Sequence, residues 1–453
     1  MRHPVLEVAG RKLSALPLIS RRKQQGGSIL IIGTVSIFVL FGFMGLAIDA
    51  GYMYFHKRRM QTAADSGALA GAQELLRQFS ATYGTVQAAA FKDTSLNDFP
   101  NGGDITVTVN MPPLYGTKAG QAGFVEVIIG QPQPTTFLQV LNIASTTVMA
   151  RAVAGAVDST ACIYALNQTN STSTQYGFSI NGNVTVNMQC GIYSNSNFSA
   201  VGGGCVASND ISFVNNGGYS NHCGIQDLQP TGPASDPMAA LFPTAGATIA
   251  TKSTCTYDNP PNQGFQPVDG VALNPGVYCG GINIKGNYAN PVVFNPGTYV
   301  ISGGGLNITS GATVNGSAVT FFLTYPGTNT SLYTPVKITG TGVVTFTAPT
   351  IANNPTNSPY VGVLWYQDPT IPGTSSQGST SMIAGGAGSI YQGIIYFPST
   401  DLQYTGNSTN VANSSAGYTI LVGYDVAVSG GSVVNSDYSS IGGNPFKVAV
   451  YAE

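Results

Sequence analysis

GGSILIIGTVSIFVLFGFMGLAI, from Gly26 to Ile48, carries no charged side chain. At about 1.5 Å of rise per residue, roughly 20 apolar residues in a helix match the roughly 30 Å hydrocarbon core of a bilayer, so this run is long enough to cross one. The reading divides the chain. Residues 1–25 become a short arm, 26–48 a transmembrane helix, and everything beyond lies on one side of a membrane.

Charge decides which side. The arm holds Arg2, Arg11, Lys12, Arg21, Arg22 and Lys23 against a single acid, Glu7, so the positive-inside rule keeps it cytoplasmic and exports the body. Lys57, Arg58 and Arg59 follow the span closely enough to count the other way. Two features of the body favour export. It is poor in charge, and all 6 cysteines, Cys162, Cys190, Cys205, Cys223, Cys255 and Cys279, fall in its distal part. An even number confined to one segment suits disulfides formed in an oxidising compartment. Inert thiols are the plain alternative; zinc is disfavoured, since no C-x-x-C occurs and His222 is the one histidine nearby. A cleaved secretory signal ending near Gly45-Leu46-Ala47 is the rival to a permanent anchor, but the apolar run exceeds an ordinary signal core.

With only 8% charged residues, 57 Gly and 26 Pro, the chain departs from the composition of a cytoplasmic enzyme. A net charge of −2, with no arginine after Arg151, leaves nothing to neutralise phosphates, so no nucleic-acid partner is expected. Beyond the span, Asp49 to Phe79 lacks proline and is rich in Ala, Leu, Met, Gln and Arg, which predicts that the helix continues. Its alanines offer a small-residue surface, either for packing on its own domain or for packing between subunits.

The pattern from Gly26 to Ala72 resembles the N-terminal segment of the Tad/Flp pilus-assembly family, the TadG-like and TadE-like envelope proteins. The residues that carry the likeness are Asp49, Gly51, Arg58, Gln61, Ala63, Ala64, Asp65, Ala68, Leu69 and Ala70. The resemblance implies a bacterial inner-membrane protein, anchored by this helix, with its body periplasmic or extracellular. It also implies pilus-assembly proteins as partners, or self-association through the N-terminal helix. A prepilin-type cleavage after Gly27 would want a glutamate where Ile32 stands. The string nearest a von Willebrand metal motif, Asp93-Thr94-Ser95-Leu96-Asn97, lacks its second serine and reads as a helix end or turn.

Residues 49–157 read as a small α+β, pilin-like unit. A second helical stretch is expected near Thr85–Phe91, strands at 105–110 and 124–130, a short helix at Thr135–Leu141 and a strand at about Thr146–Val157. Residues 158–453 read as all-β, with short strands between NG, GG, SG and PG turns. NPGVYCGGINIKG from Asn274 recurs as NPGTYVISGGGLNITSG from Asn295, a period of about 21 residues that suits a parallel β-helix or solenoid. A β-sandwich is the alternative. In a solenoid, residues about one coil apart come within disulfide reach, which favours the pairs Cys162–Cys190, Cys205–Cys223 and Cys255–Cys279.

Parallel β-helices can act on polysaccharides, so an enzyme has to be weighed. The acids of the distal part are scattered, no G-x-S-x-G occurs, and no catalytic, cofactor or metal site is expected. The most site-like residues are Trp365 and Asp368, which could meet a sugar ring of a surface polysaccharide or serve a core and a loop cap. The expected function is structural, an inner-membrane-anchored envelope protein of a Tad/Flp pilus system. The alternative is a membrane-anchored β-helix that binds or cleaves polysaccharide.

Overall fold

The computed structural model describes residues 26–453 apart from 77–81, 169–176, 183–184, 188–189, 202, 209, 215–218, 221–227, 231–235, 240–253, 261–262, 287, 310, 328, 355–359, 373–379, 387, 406–416, 431–433 and 435. The basic arm, His222 and Cys223 lie outside the described residues.

One unbroken helix, α1 (Gly26–Leu75, 50 residues), joins the apolar run to the stretch beyond it, because no proline interrupts either. It has two environments. Up to Ile48 its large apolar side chains are exposed, with Leu30 at 72% and Phe38 at 73%, whereas Met60, Ala63, Ala64, Ala68 and Ala72 are fully buried. A second helix, α2 (Tyr83–Leu96), starts at a reciprocal cap in which the Thr82 hydroxyl accepts from the Thr85 amide and the Thr85 hydroxyl accepts from the Thr82 amide. Asp93–Asn97 is the C-terminal end of that helix, with the Asn97 amide donating to the Asp93 carbonyl.

Both helices pack on an antiparallel sheet made from β1 (Thr106–Asn110), β2 (Phe124–Pro134) and β3 (Ser145–Asp158). Val107, Val109, Val125, Val127, Ile129, Ala150, Ala152 and Ala154 supply its buried face. A fourth strand, Lys447–Tyr451, completes it by pairing antiparallel with the end of β3. By sequence this strand belongs with the distal domain; the fold returns it to the antiparallel sheet that packs on α1, the sheet of the membrane-proximal unit expected from the sequence. KVAVY says nothing of its partner, since Lys447 and the Asp158 it pairs with are 289 residues apart.

In the distal body every described strand pairs in parallel. One sheet runs, in spatial order, Leu228–Pro230, Ile211–Phe213, Gly191–Ser194, Ala161–Ala165, Thr419–Gly423, Ile390–Phe397, Val363–Gln367, Val319–Thr324, Gly297–Ser302, Gly276–Cys279 and Tyr257–Asp258. A second sheet follows the same order, with Phe178–Asn181 beside Val426–Ser429 at its middle. The chain therefore enters at the centre, winds outward to Leu228–Pro230, reappears at the opposite end at Tyr257–Asp258, and winds back until Leu421 sits opposite Ile163. Entry and exit are neighbours, and both lead into the membrane-proximal sheet.

The internal repeat has a physical basis. The Asn295 side chain donates to its counterpart Asn274 at 2.8 Å, and the hydroxyls of Tyr278 and Tyr299 each return to the carbonyl of their own repeat's asparagine at 2.7 Å. The turns between coils approach closely. A Cβ on Gly304, whose φ is +69°, would fall 1.8 Å from the Gly280 carbonyl oxygen, so glycine is required there.

A column of rings lines the interior: Tyr257, Tyr278, Tyr299, Phe321 and Trp365, with successive centroids 4.4, 5.9, 5.6 and 5.8 Å apart. Strands ACIYA, VTFFLT, VLWYQ and TILVG are buried at every position instead of alternating. Loop side chains cover their outer face, Tyr360 lying against Tyr366 and Phe446 against Tyr164. Cys162–Cys190 and Cys255–Cys279 are disulfides between adjacent coils, with Cα atoms 5.6 and 5.7 Å apart. Each cross-links a loop of 28 or 24 residues, a constraint on the unfolded chain worth roughly 3 kcal/mol.

Candidate functional site

The residues that carry the family likeness lie where α1 leaves its exposed apolar half and docks on the domain. Asp49 closes the charge-free run and is only 4% exposed. Its carboxylate accepts the amides of Thr136, Phe137 and Leu138 at 3.0, 2.8 and 2.8 Å. Those are unpaired donors at the start of the 3₁₀ turn Leu138–Leu141, so an acid on α1 caps a turn belonging to the β2–β3 hairpin. One turn of α1 earlier, Gly45 makes room for Phe137; a Cβ there would fall 2.4 Å from the ring.

Further along α1, Gln61 donates to the Asp65 carboxylate and to the Arg151 carbonyl, both at 2.8 Å. Ala63, Ala64 and Ala68 are fully buried, while Leu69 and Ala70 are partly so. Gly67 explains why the residues must be small, since a Cβ there would come within 2.6 Å of the Thr94 methyl and 3.3 Å of the Ala90 carbonyl oxygen. The small-residue face thus packs on the chain's own α2 and sheet. Gly51 and Arg58 are exposed, and the neighbouring Arg59 pairs with Asp98 at 2.8 Å on the surface.

Arg151 holds the far end of the sheet. Its Nε donates to Glu126 at 2.5 Å and its Nη1 to Glu453 at 2.7 Å, while Nη2 donates to the Tyr115 carbonyl. The Glu126 side chain is fully buried, and its other oxygen accepts from Asn110 at 2.7 Å and from the Leu114 amide at 3.1 Å. Burial pushes the Glu126 carboxyl up, but the bonds from Arg151, Asn110 and Leu114 outweigh it and hold the group below the usual range. Glu453 is pulled down to about 2, first by the Thr117 hydroxyl and then by Arg151. Nothing in the sequence joins these residues, because Glu126, Arg151 and Glu453 come from three separate strands or strand ends.

Trp365 and Asp368, the most site-like residues of the sequence, are both in the interior. Trp365 is fully buried, stacked on Phe321 and edge-on to Phe346. Asp368 is also fully buried, accepting from the Thr324 hydroxyl at 2.8 Å, the Thr370 amide at 3.0 Å and the Thr370 hydroxyl at 2.6 Å. A sugar ring has no face of the tryptophan to meet, and the aspartate closes a loop. Burial on both faces of this strand is what the local sequence did not reveal.

Two acids that read as scattered are in fact neighbours on adjacent coils. Leu402 sits opposite Val426, which places Asp401 beside Asp425. Asn167 donates to both oxygens of Asp425, at 3.0 and 3.2 Å. Their spacing repeats the 24 residues between Cys255 and Cys279, the one sequence signal that could have found them. Burial, and then the charge of Asp425, push the Asp401 carboxyl up to about 7. The folded chain therefore holds this proton more tightly than the unfolded one, and the body loses stability as pH rises from about 4 to about 7. Asp401→Asn is expected to raise the free energy of unfolding at pH 8 by about 1–2 kcal/mol, after discounting for partial exposure, and to leave it nearly unchanged at pH 4. Calorimetry at the two pH values checks this.

Among known protein families, residues 27–74 match the Tad model, described as "Putative Flp pilus-assembly TadE/G-like". No curated protein and no solved structure matches the chain. The matched residues span the exposed apolar half of α1, Asp49 and the buried small-residue face, so the similarity to the Tad family lies in this one helix.

Proposed function

We propose that the protein is a bitopic inner-membrane component of a Tad/Flp pilus assembly, with its arm in the cytoplasm and its body periplasmic or extracellular, acting structurally and not as an enzyme. The observation that carries the reading is the division of α1: the part up to Ile48 exposes its apolar side chains, while the part from Met60 onward is seated on its own sheet. One helix thus serves as anchor and as the spine of a domain. The disulfides Cys162–Cys190 and Cys255–Cys279 support an oxidising compartment and so the exported orientation.

The distal body is read as a parallel β-solenoid in preference to a sandwich. The all-parallel pairing, the stacked aromatic column and the asparagine pair at the repeat support this. Its surface, poor in charge and rich in Asn, Ser and Thr, is offered to partner proteins of the assembly. Self-association through α1 would have to use the exposed span, since the small-residue face is already covered. The polysaccharide alternative now rests on Asp401 and Asp425 in place of Trp365 and Asp368. A reducing-sugar assay abolished by Asp401→Asn would favour it.

Membrane fractionation and protease treatment of spheroplasts test the main reading. The full chain is expected to sediment with membranes and its body to be cut without lysis, and deletion of residues 28–48 is expected to release the body. A body protected until lysis, or one that still sediments after the deletion, would overturn it.

A further inference from the structure

We propose that the tip of the β2–β3 hairpin, Thr135–Ile143, is a second membrane contact, seated in the interfacial layer of the same bilayer beside the span. The proposal rests on Gly26–Ile48 being a membrane span. Phe137, Val140, Leu141 and Ile143 are exposed by 42%, 86%, 66% and 45%. No charged residue occurs between Glu126 and Arg151, so the whole lower part of the hairpin is uncharged. Four exposed apolar side chains at the end of a polar, sparsely charged body need a partner.

The fold fixes the height of this tip on α1. Asp49 grips its backbone, and Phe137 lies against Gly45. Gly45 is about 6 Å deeper into the apolar run than Asp49, at about 1.5 Å per residue. Phe137 therefore sits level with the outer end of the span, where Met44 and Ile48 are themselves 58% and 52% exposed. The next turns of α1 carry Tyr52, Tyr54 and Phe55, all exposed, and only then the cations Lys57 to Arg59. Apart from Asp49, which is buried against the tip, the exposed side chains run apolar, aromatic and then charged, the order met on leaving a bilayer.

Irregular chain can approach hydrocarbon only if its backbone is satisfied internally. At this tip the amides of Thr136, Phe137 and Leu138 go to Asp49. Those of Thr135, Val140, Asn142 and Ile143 go to the carbonyls of Ala144, Phe137, Gln139 and Leu138. The Thr135 hydroxyl returns to the Ile143 carbonyl. Lipid is the occupant favoured over a second copy because the patch is a hairpin tip continuous with the exposed face of the span, and the amides of Thr135 to Leu138, Val140, Asn142 and Ile143 are already taken.

The test uses full-length protein in liposomes with and without brominated phosphatidylcholine, which quenches tryptophan on contact. The native Trp365, fully buried in the distal body, gives a constant background. Val140→Trp is expected to lose about half of its added emission in brominated lipid, as a ring seated roughly 5–10 Å into the headgroup and acyl boundary should. Leu114→Trp, at the other end of the sheet, is expected to lose none. If Val39→Trp in the span is quenched but Val140→Trp behaves like Leu114→Trp, the second contact is refuted and the span stands. If Val39→Trp is not quenched either, the span itself is refuted, and the second contact falls with it.

Discussion

Arg151→Ala is expected to destabilise the membrane-proximal unit by about 3 kcal/mol or more, because it leaves a fully buried carboxylate without its counter-charge. Glu126 keeps the Asn110 side chain and the Leu114 amide, but neither cancels its charge. The same substitution takes Arg151 from Glu453, whose carboxylate keeps its bonds from Thr117 and Lys118, so the strand Lys447–Tyr451 loses one of its fastenings to β3. Chemical unfolding in detergent or nanodiscs, followed by circular dichroism, measures the loss. The double variant Arg151→Met with Glu126→Leu is expected to recover most of it, since replacing both members of a buried pair by apolar groups removes the stranded charge. Recovery would assign the single-variant cost to that charge and not to lost packing.

The clamp also has a defined pH response. Glu126 and Glu453 both titrate below their unfolded value of 4.5. Their contribution is therefore fully present above about pH 4.5 and is lost as pH falls toward 2. Limited proteolysis near the C-terminal strand is expected to accelerate over that acid window in the native protein. In Arg151→Ala it should already be fast at neutral pH.

Trp365→Ala is expected to cost about 3–5 kcal/mol, the range for removing the largest side chain from a packed core. The ring is fully buried and meets Phe321, Phe346 and Tyr391 with centroids 5.8, 5.9 and 5.7 Å away. No neighbour can fill the hole without leaving the stack. Trp365→Phe is expected to cost less than half as much, because it keeps a ring in the column and removes an indole N–H that meets no acceptor among the described residues. Thermal unfolding by circular dichroism ranks the three proteins. A loss below 1 kcal/mol for the alanine variant would mean that the column is not packed as described.

The membrane-proximal elements were legible because each is a local property. Freedom from charge and proline predicts a helix through Gly26–Ile48 and on past it, and α1 is that helix. Alternation in ITVTVN and FVEVIIG predicts strands, and β1 and β2 occupy them. The repeat at Asn274 and Asn295 was visible because a stacked coil imposes the same turn chemistry on both copies.

Other features depend on partners far apart in the chain, and local pattern carries no information about these. KVAVY could have been any strand; pairing with β3 makes it part of the membrane-proximal sheet. VLWYQ offered a tryptophan beside an acid, which reads as a surface site until loops from elsewhere cover the sheet's second face. Asp49 was legible as part of a family pattern, but its work of holding three amides about 90 residues onward is set by how the hairpin folds back on the helix. The sequence by itself determined which segments are helix and strand and which helix is apolar and long enough to cross a membrane, since these follow from side chains along a single stretch. Only the tertiary structure decided that the distal chain starts and finishes at its own middle, because that depends on which of many similar parallel strands stack as neighbours, and similar strands cannot state their order.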